Sequence, residues 1–82
     1  MSRDVVLYTR RVCGLCDDAA AELRRLRDEL RFTLTEQDVD DDAALRERYN
    51  DVVPVIVVAG EVVAHAPIDV PGLRAALAAA LR

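Results

Sequence analysis

Apolar residues in this chain come in short bursts, and the spacing between them changes along its length. Val5-Val6-Leu7-Tyr8 is a compact run with β-branched members between Asp4 and Thr9, which predicts a buried strand. From Cys13 onward the period lengthens. Leu15, Ala19, Leu23, Leu26 and Leu30 recur every three or four residues, the stripe of an amphipathic helix. Asp17 and Asp18 in its first turn, with Arg24, Arg25 and Arg27 in later turns, suit the helix dipole. Phe32-Thr33-Leu34-Thr35 alternates like a half-exposed strand. Asp38, Asp40, Asp41 and Asp42 then open a short helix with Leu45 and Tyr49 on its inner side, and Asn50 is the expected left-handed stop.

The run Val52–Val58 is too apolar for anything but a central strand, with Pro54 at its first position because proline cannot donate to a ladder. Ala59-Gly60 predicts a turn with positive φ at Gly60, and Glu61-Val62-Val63-Ala64 a returning hairpin strand. Asp69 is placed to cap a last helix with Pro71 in its first turn and Leu73, Leu77 and Leu81 on one face. The order βαβαββα predicts a right-handed parallel crossover followed by an antiparallel hairpin, hence an α/β fold with a mixed four-stranded sheet covered by helices.

Eighty-two residues without repeats or linkers make one domain, 1–82. A chain this short buries only about 60 % of its unfolded surface, so the 52 % hydrophobic fraction must be used efficiently. With aromatics at 4 %, the core is aliphatic. The net charge of −4 argues against nucleic acid, and the absence of lysine excludes lysine Schiff-base chemistry. No segment approaches the roughly 20 apolar residues of a membrane span, and the first strand begins too early to leave room for a signal peptide. The expectation is a cytoplasmic protein, off the membrane and monomeric.

In that compartment Cys13 and Cys16 point to redox chemistry or metal binding rather than to a permanent staple. Three residues of helix separate Cα atoms by about 5 Å, inside the bridgeable range of roughly 4.4–6.8 Å. Cys13 falls at the helix start, where unpaired N–H groups and the dipole favour a thiolate, so it is the expected nucleophile. Cys16, one turn deeper, is the expected resolving thiol. Arg10 and Arg11 favour the Cys13 thiolate, whereas Asp17 and Asp18 oppose it. No metal site is expected within one chain, since zinc wants four ligands and the single His65 is far away in sequence.

The run Leu7-Tyr8-Thr9-Arg10-Arg11-Val12-Cys13-Gly14-Leu15-Cys16 resembles the start of a glutaredoxin, where a strand ending in Tyr-Thr leads through a basic residue to a CxxC. Val53-Pro54 resembles the cis-proline signature of thioredoxin-like proteins. The string Cys-x-Leu-Cys-Asp-x-Ala, followed by Arg48-Tyr49 and Val53-Pro54-Val55, is similar to a set of small glutaredoxin-like family proteins, and the likeness spans nearly the whole chain. It implies a thioredoxin-like fold and dithiol redox activity in electron transport, with no cofactor beyond a redox-active Cys13–Cys16 disulfide. It also implies that Pro54 packs on the cysteine pair and that Val53 offers its backbone to a substrate peptide or glutathione. Tyr8, Arg10, Arg11, Gly14 and Leu15 would border that substrate.

Two departures stand out. Gly14-Leu15 replaces the Pro-Tyr usual between glutaredoxin cysteines. Ala64-His65-Ala66-Pro67-Ile68-Asp69 lacks the glycine pair that precedes the aspartate holding the glutathione γ-glutamyl end. The partners implied are protein or low-molecular-weight disulfides and a reductant, either a thioredoxin-reductase-like protein or glutathione, with glutathione disfavoured by the second departure. Two further readings are a zinc or iron–sulfur module built from the CxxC in a dimer, and a redox-sensitive adaptor without turnover. His65 reads as a strand-end side chain, the Asp38–Asp42 run as a solvated loop with a helix cap, the Arg24–Arg27 cluster as a solvated helix face, and Tyr49 as core.

Overall fold

The computed structural model describes residues 3–11 and 13–82; Met1, Ser2 and Val12, including the Val12 position of the motif run, lie outside it. The chain forms β1 (Asp4–Thr9), α1 (Gly14–Leu30), β2 (Thr33–Asp38), a 3₁₀ turn (Val39–Asp41), α2 (Ala43–Tyr49), β3 (Val55–Val58), β4 (Glu61–His65) and α3 (Val70–Ala80). The sheet order is β2-β1-β3-β4. β1 and β2 are parallel, joined through α1, while β3 is antiparallel to both β1 and β4. This is the mixed α/β sheet that the residue pattern implies.

Alternation along β1 divides the core. Val5 and Leu7 face α1 and α3, joining Ala19, Leu23, Leu26, Ile56, Leu73 and Leu77. Val6 and Tyr8 face the other way, toward Val39, Tyr49, Val55 and Val57 beneath α2. All four residues of β3 are buried, as a strand covered on both faces requires. At the β1 N-terminus the Arg3 guanidinium donates to the carbonyls of Leu30, Arg31 and Leu81, tying together the C-terminal ends of α1 and α3.

Several local expectations change. β2 runs on to Asp38 because it pairs with β1 along its full length, from Asp4↔Thr33 to Thr9↔Asp38. Pro54 lies just before β3, not at its first position, and the preceding residues turn. Asn50 is right-handed (φ −50°, ψ −43°), so it does not stop α2 by a left-handed cap. The β3–β4 turn has positive φ at both Ala59 (53°) and Gly60 (82°), the requirement of a type I′ hairpin, so Ala59 accepts a conformation that glycine would take more cheaply. Asp69 occupies the N-cap position of α3, yet its carboxylate makes no capping hydrogen bond. The peptide bonds preceding Pro54 and Pro67 are cis.

Candidate active site

Cys13 is the N-cap of α1. Its backbone is extended (φ −139°, ψ 106°), and its Sγ accepts the Cys16 backbone N–H at 3.2 Å. A sulfur therefore stands where a Ser or Asp oxygen usually satisfies the first helical donors. The Cys13 carbonyl takes the next donor, the Asp17 N–H, at 3.0 Å.

The two thiols are free and occupy different environments. Cys13 is partly exposed, while Cys16 is 1 % exposed. Burial pushes the Cys16 thiol up, and its hydrogen bond to Cys13 adds to this; hydrogen bonds from the Thr9 side chain and the Arg10 backbone pull the other way. Above the two thiols the surface is open. Nothing lies within 4 Å of where a Gly14 Cβ would sit, and Leu15 is 56 % exposed. Leu15 therefore leaves the buried stripe expected of it. The register of α1 turns Cys16, Ala19 and Ala20 inward instead.

Arg10 and Arg11 both line a cavity that opens beside Cys16, and both are ion-paired there. Arg10 reaches the Asn50 side-chain and backbone oxygens and Asp40, with its Nε 3.2 Å from Asp40 Oδ2. Arg11 places Nε 3.2 Å from Asp38 Oδ2 and Nη2 3.7 Å from Asp41 Oδ1. Both charges are committed to the acidic segment after β2. That segment is accordingly not merely solvated: Asp38 and Asp42 also cap the 3₁₀ turn and α2 through the N–H groups of Asp40, Ala44 and Leu45.

Tyr8 stacks on Tyr49 with ring centroids 4.9 Å apart, on the sheet face opposite α1. Tyr49 is core, with Arg48 over its ring. Val53 packs at the edge of the same cluster, and Pro54 is buried. The antiparallel pair Tyr8↔Val55 brings Val53-Pro54 beside the end of β1, from which the chain enters the cysteine loop. His65 is exposed, its ring Nδ1 2.9 Å from its neighbour's Ala66 carbonyl.

A cavity of about 320 Å³ opens beside Cys16, walled by Thr9, Asp17, Glu36 and Asp38 among others. Arg24 closes one side through a two-point ion pair to Glu36 (2.9 and 2.7 Å). Nothing in the sequence fixes an approach of Glu36 to the reactive edge of the sheet; the parallel register Leu7↔Glu36 and Thr9↔Asp38 brings it there, next to Thr9 and Arg24. A larger groove of about 550 Å³ between β4 and α3 contains no thiol, so the smaller cavity is the one tied to the chemistry. Among the described residues, no group of three or more His, Cys, Asp or Glu is arranged to hold a metal ion, and no helix is long and apolar enough to cross a membrane.

Comparison with known proteins agrees with this architecture. The sequence profile of the Glutaredoxin-like domain (DUF836) matches residues 4–78. The solved structure of target protein XcR50 from X. campestris is similar at 39 % identity and TM-score 0.77, covering 93 % of this chain and 97 % of that one. Protein Ne2328 from Nitrosomonas europaea is similar at 32 % identity and TM-score 0.71, covering 88 % and 87 %. A malarial protein at 17 % identity and TM-score 0.67, covering 96 % and 97 %, shares the fold. No curated protein matches. Motif, sheet topology and profile coincide over nearly the whole chain, which therefore belongs to the glutaredoxin-like (DUF836) family, with a thioredoxin-like fold.

Proposed function

We propose that this protein is a thiol–disulfide oxidoreductase in which Cys13 attacks and Cys16 resolves. The observation that carries the reading is the asymmetry of the pair: Cys13 Sγ sits partly exposed on the Cys16 N–H at the helix start, with the Cys16 thiol buried behind it. In the first step the Cys13 thiolate attacks one sulfur of a disulfide. A Cys13–substrate disulfide forms, and the other half leaves as a thiolate that takes up a proton. Cys16 then loses its proton and attacks Cys13 Sγ, which expels the second half as a thiol and leaves a Cys13–Cys16 disulfide. A reductant, thioredoxin-reductase-like or glutathione, restores the dithiol.

In this reading Gly14 and Leu15 form the open contact surface, and Val53, beside the end of β1, offers its backbone to an extended substrate, with Pro54 shaping that wall. Arg10 and Arg11 border the substrate from the cavity wall beside Cys16, held there by their ties to the acidic segment. The protein would work as a cytoplasmic monomer with no bound cofactor, on protein or small disulfides.

A Cys16→Ser variant tests this. It should accumulate mixed disulfides on Cys13, reversible by dithiothreitol, while a Cys13→Ser variant should trap none. Equal trapping by both variants, or by neither, would refute the division of roles.

A further inference from the structure

The two walls that would meet substrate come from distant parts of the chain, and the sheet does not fix them to each other. The ladder between β1 and β3 ends at Tyr8↔Val55, so Arg10 and Cys13, like Val53 and Pro54, lie beyond it. On the core side the Tyr8–Tyr49 ring stack holds the two stretches near each other. Past that stack, Arg10 spans them. It precedes Cys13 by three positions, and Asn50, its partner, precedes Val53 by three.

Arg10 Nη2 donates to Asn50 Oδ1, and Nη1 donates to Asn50 O at 3.4 Å. The same guanidinium meets Asp40, with Nη2 3.3 Å from Oδ1 and Nε 3.2 Å from Oδ2. Asn50 Nδ2 donates to Asp51 Oδ1 at 3.2 Å, which leaves its own Oδ1 for Arg10. The Asn50 carbonyl stands at the end of α2, where helix carbonyls lack intrahelical partners and a cation is favoured. Only 30 % of the Arg10 side chain is exposed and its Nε is buried, so the junction is partly shielded from water. A planar fork with fixed donor directions, held on two segments at once, transmits position as well as attraction.

We propose that Asn50 is a positioning residue for extended substrates: by clasping Arg10 it sets the Val53 backbone against Cys13, so that a peptide laid along Val53 presents its disulfide to the thiolate. The inference rests on the dithiol reading above and deepens it, because the substrate class becomes a disulfide flanked by peptide backbone. The chemistry is the first step already given: the Cys13 Sγ–substrate bond forms, the substrate S–S bond breaks, and the leaving sulfur takes up a proton. A small disulfide without peptide groups reaches Cys13 without engaging Val53 and does not feel the clasp.

Reduced protein is mixed with either of two uncharged disulfides: dithiodipyridine, which has no peptide groups, or the symmetrical disulfide of acetylated, amidated Ala-Cys-Ala. Loss of the Cys13 thiol gives a second-order rate constant for each, and their ratio cancels any change in the reactivity of the thiol itself. Asn50→Ala should lower the peptide rate about tenfold, the scale of a slightly misplaced contact and a lost hydrogen bond to a charged donor, and leave the dithiodipyridine rate within about twofold. Asn50→Asp, which keeps an oxygen for Arg10, should recover the ratio. Asp51→Ala, which removes the neighbouring bond and spares the clasp, should match wild type. Asn50→Ser, whose oxygen lies a bond nearer the backbone, repeats the Asn50→Ala arm should that variant fail to fold. An unchanged ratio in Asn50→Ala, the same loss in Asp51→Ala, or no recovery in Asn50→Asp would overturn the role of Asn50 alone. A wild-type protein whose Cys13 reacts with neither disulfide would overturn the dithiol reading as well.

Discussion

Replacing Arg3 by alanine is expected to loosen the end of the molecule farthest from the cysteines. The Arg3 guanidinium donates to Arg31 O at 2.8 Å, to Leu81 O at 2.9 Å and to Leu30 O, all carbonyls at helix C-termini that lack intrahelical partners. Hydrogen bonds from charged donors contribute about 1.5–3 kcal/mol each when shielded. Those to Leu30 and Arg31 are exposed, so water replaces most of their value; the one to Leu81 is part-buried and counts more. With the favourable placement of a cation at two helix C-termini, the total comes to about 2 kcal/mol. A chain of this length is stable by about 4–12 kcal/mol, so the loss is a sizeable fraction. At roughly 4–8 °C per kcal/mol, Arg3→Ala should lower Tm by about 8–16 °C.

The assay is thermal unfolding followed by circular dichroism, with Arg3→Lys as the partner variant that keeps the charge and loses the fork. Arg3→Lys should fall between wild type and Arg3→Ala. β1 separates Arg3 from Thr9 by roughly 17–20 Å of extended chain, so thiol reactivity well below Tm should be unchanged. A Tm for Arg3→Ala within about 2 °C of wild type would show that these carbonyls are satisfied by water at no net cost.

Two further outcomes follow from the site. Burial keeps Cys16 protonated in the folded chain at pH values where the unfolded thiol, near 8.5, already ionises, so stability is full below that pH and declines above it. Denaturant midpoints from about pH 7 to about pH 10 should therefore fall more steeply for wild type than for Cys16→Ala, and equal slopes would refute this. At the active-site end, Arg10 and Arg11 are matched by Asp38, Asp40 and Asp41, and Asp17 and Asp18 at the start of α1 add further negative charge. The dication cystamine should accordingly oxidise the reduced protein on the order of tenfold faster than glutathione disulfide at low salt, with the ratio shrinking as salt is added. Stopped-flow thiol loss measures it, and an equal or faster reaction with glutathione disulfide would remove the electrostatic argument.

Local periodicity carried most of the architecture. The change from the run Val5–Tyr8 to the three-four spacing after Cys13 places β1 and α1, and the apolar run ending at Val58 gives the buried strand β3. Errors collected where tertiary pairing overrides local preference. β2 extends through the polar residues Glu36, Gln37 and Asp38 because β1 supplies a ladder for each of them. Leu15 points outward because the α1 register is set by Cys16, Ala19 and Leu23 against the sheet.

By itself the sequence determined the order of elements, the spacing that lets two cysteines meet, and the junction that puts one of them at a helix start, since each of these depends only on neighbours along the chain. Tertiary structure alone decided the surroundings of that pair. The parallel register brings Glu36 and Asp38 to the cavity beside Cys16, the loop after β2 pairs with Arg10 and Arg11, and the end of β1 sets Thr9 in the wall of the same cavity. Those contacts join residues far apart in sequence, and short-range pattern holds no information about which distant segments will be brought side by side.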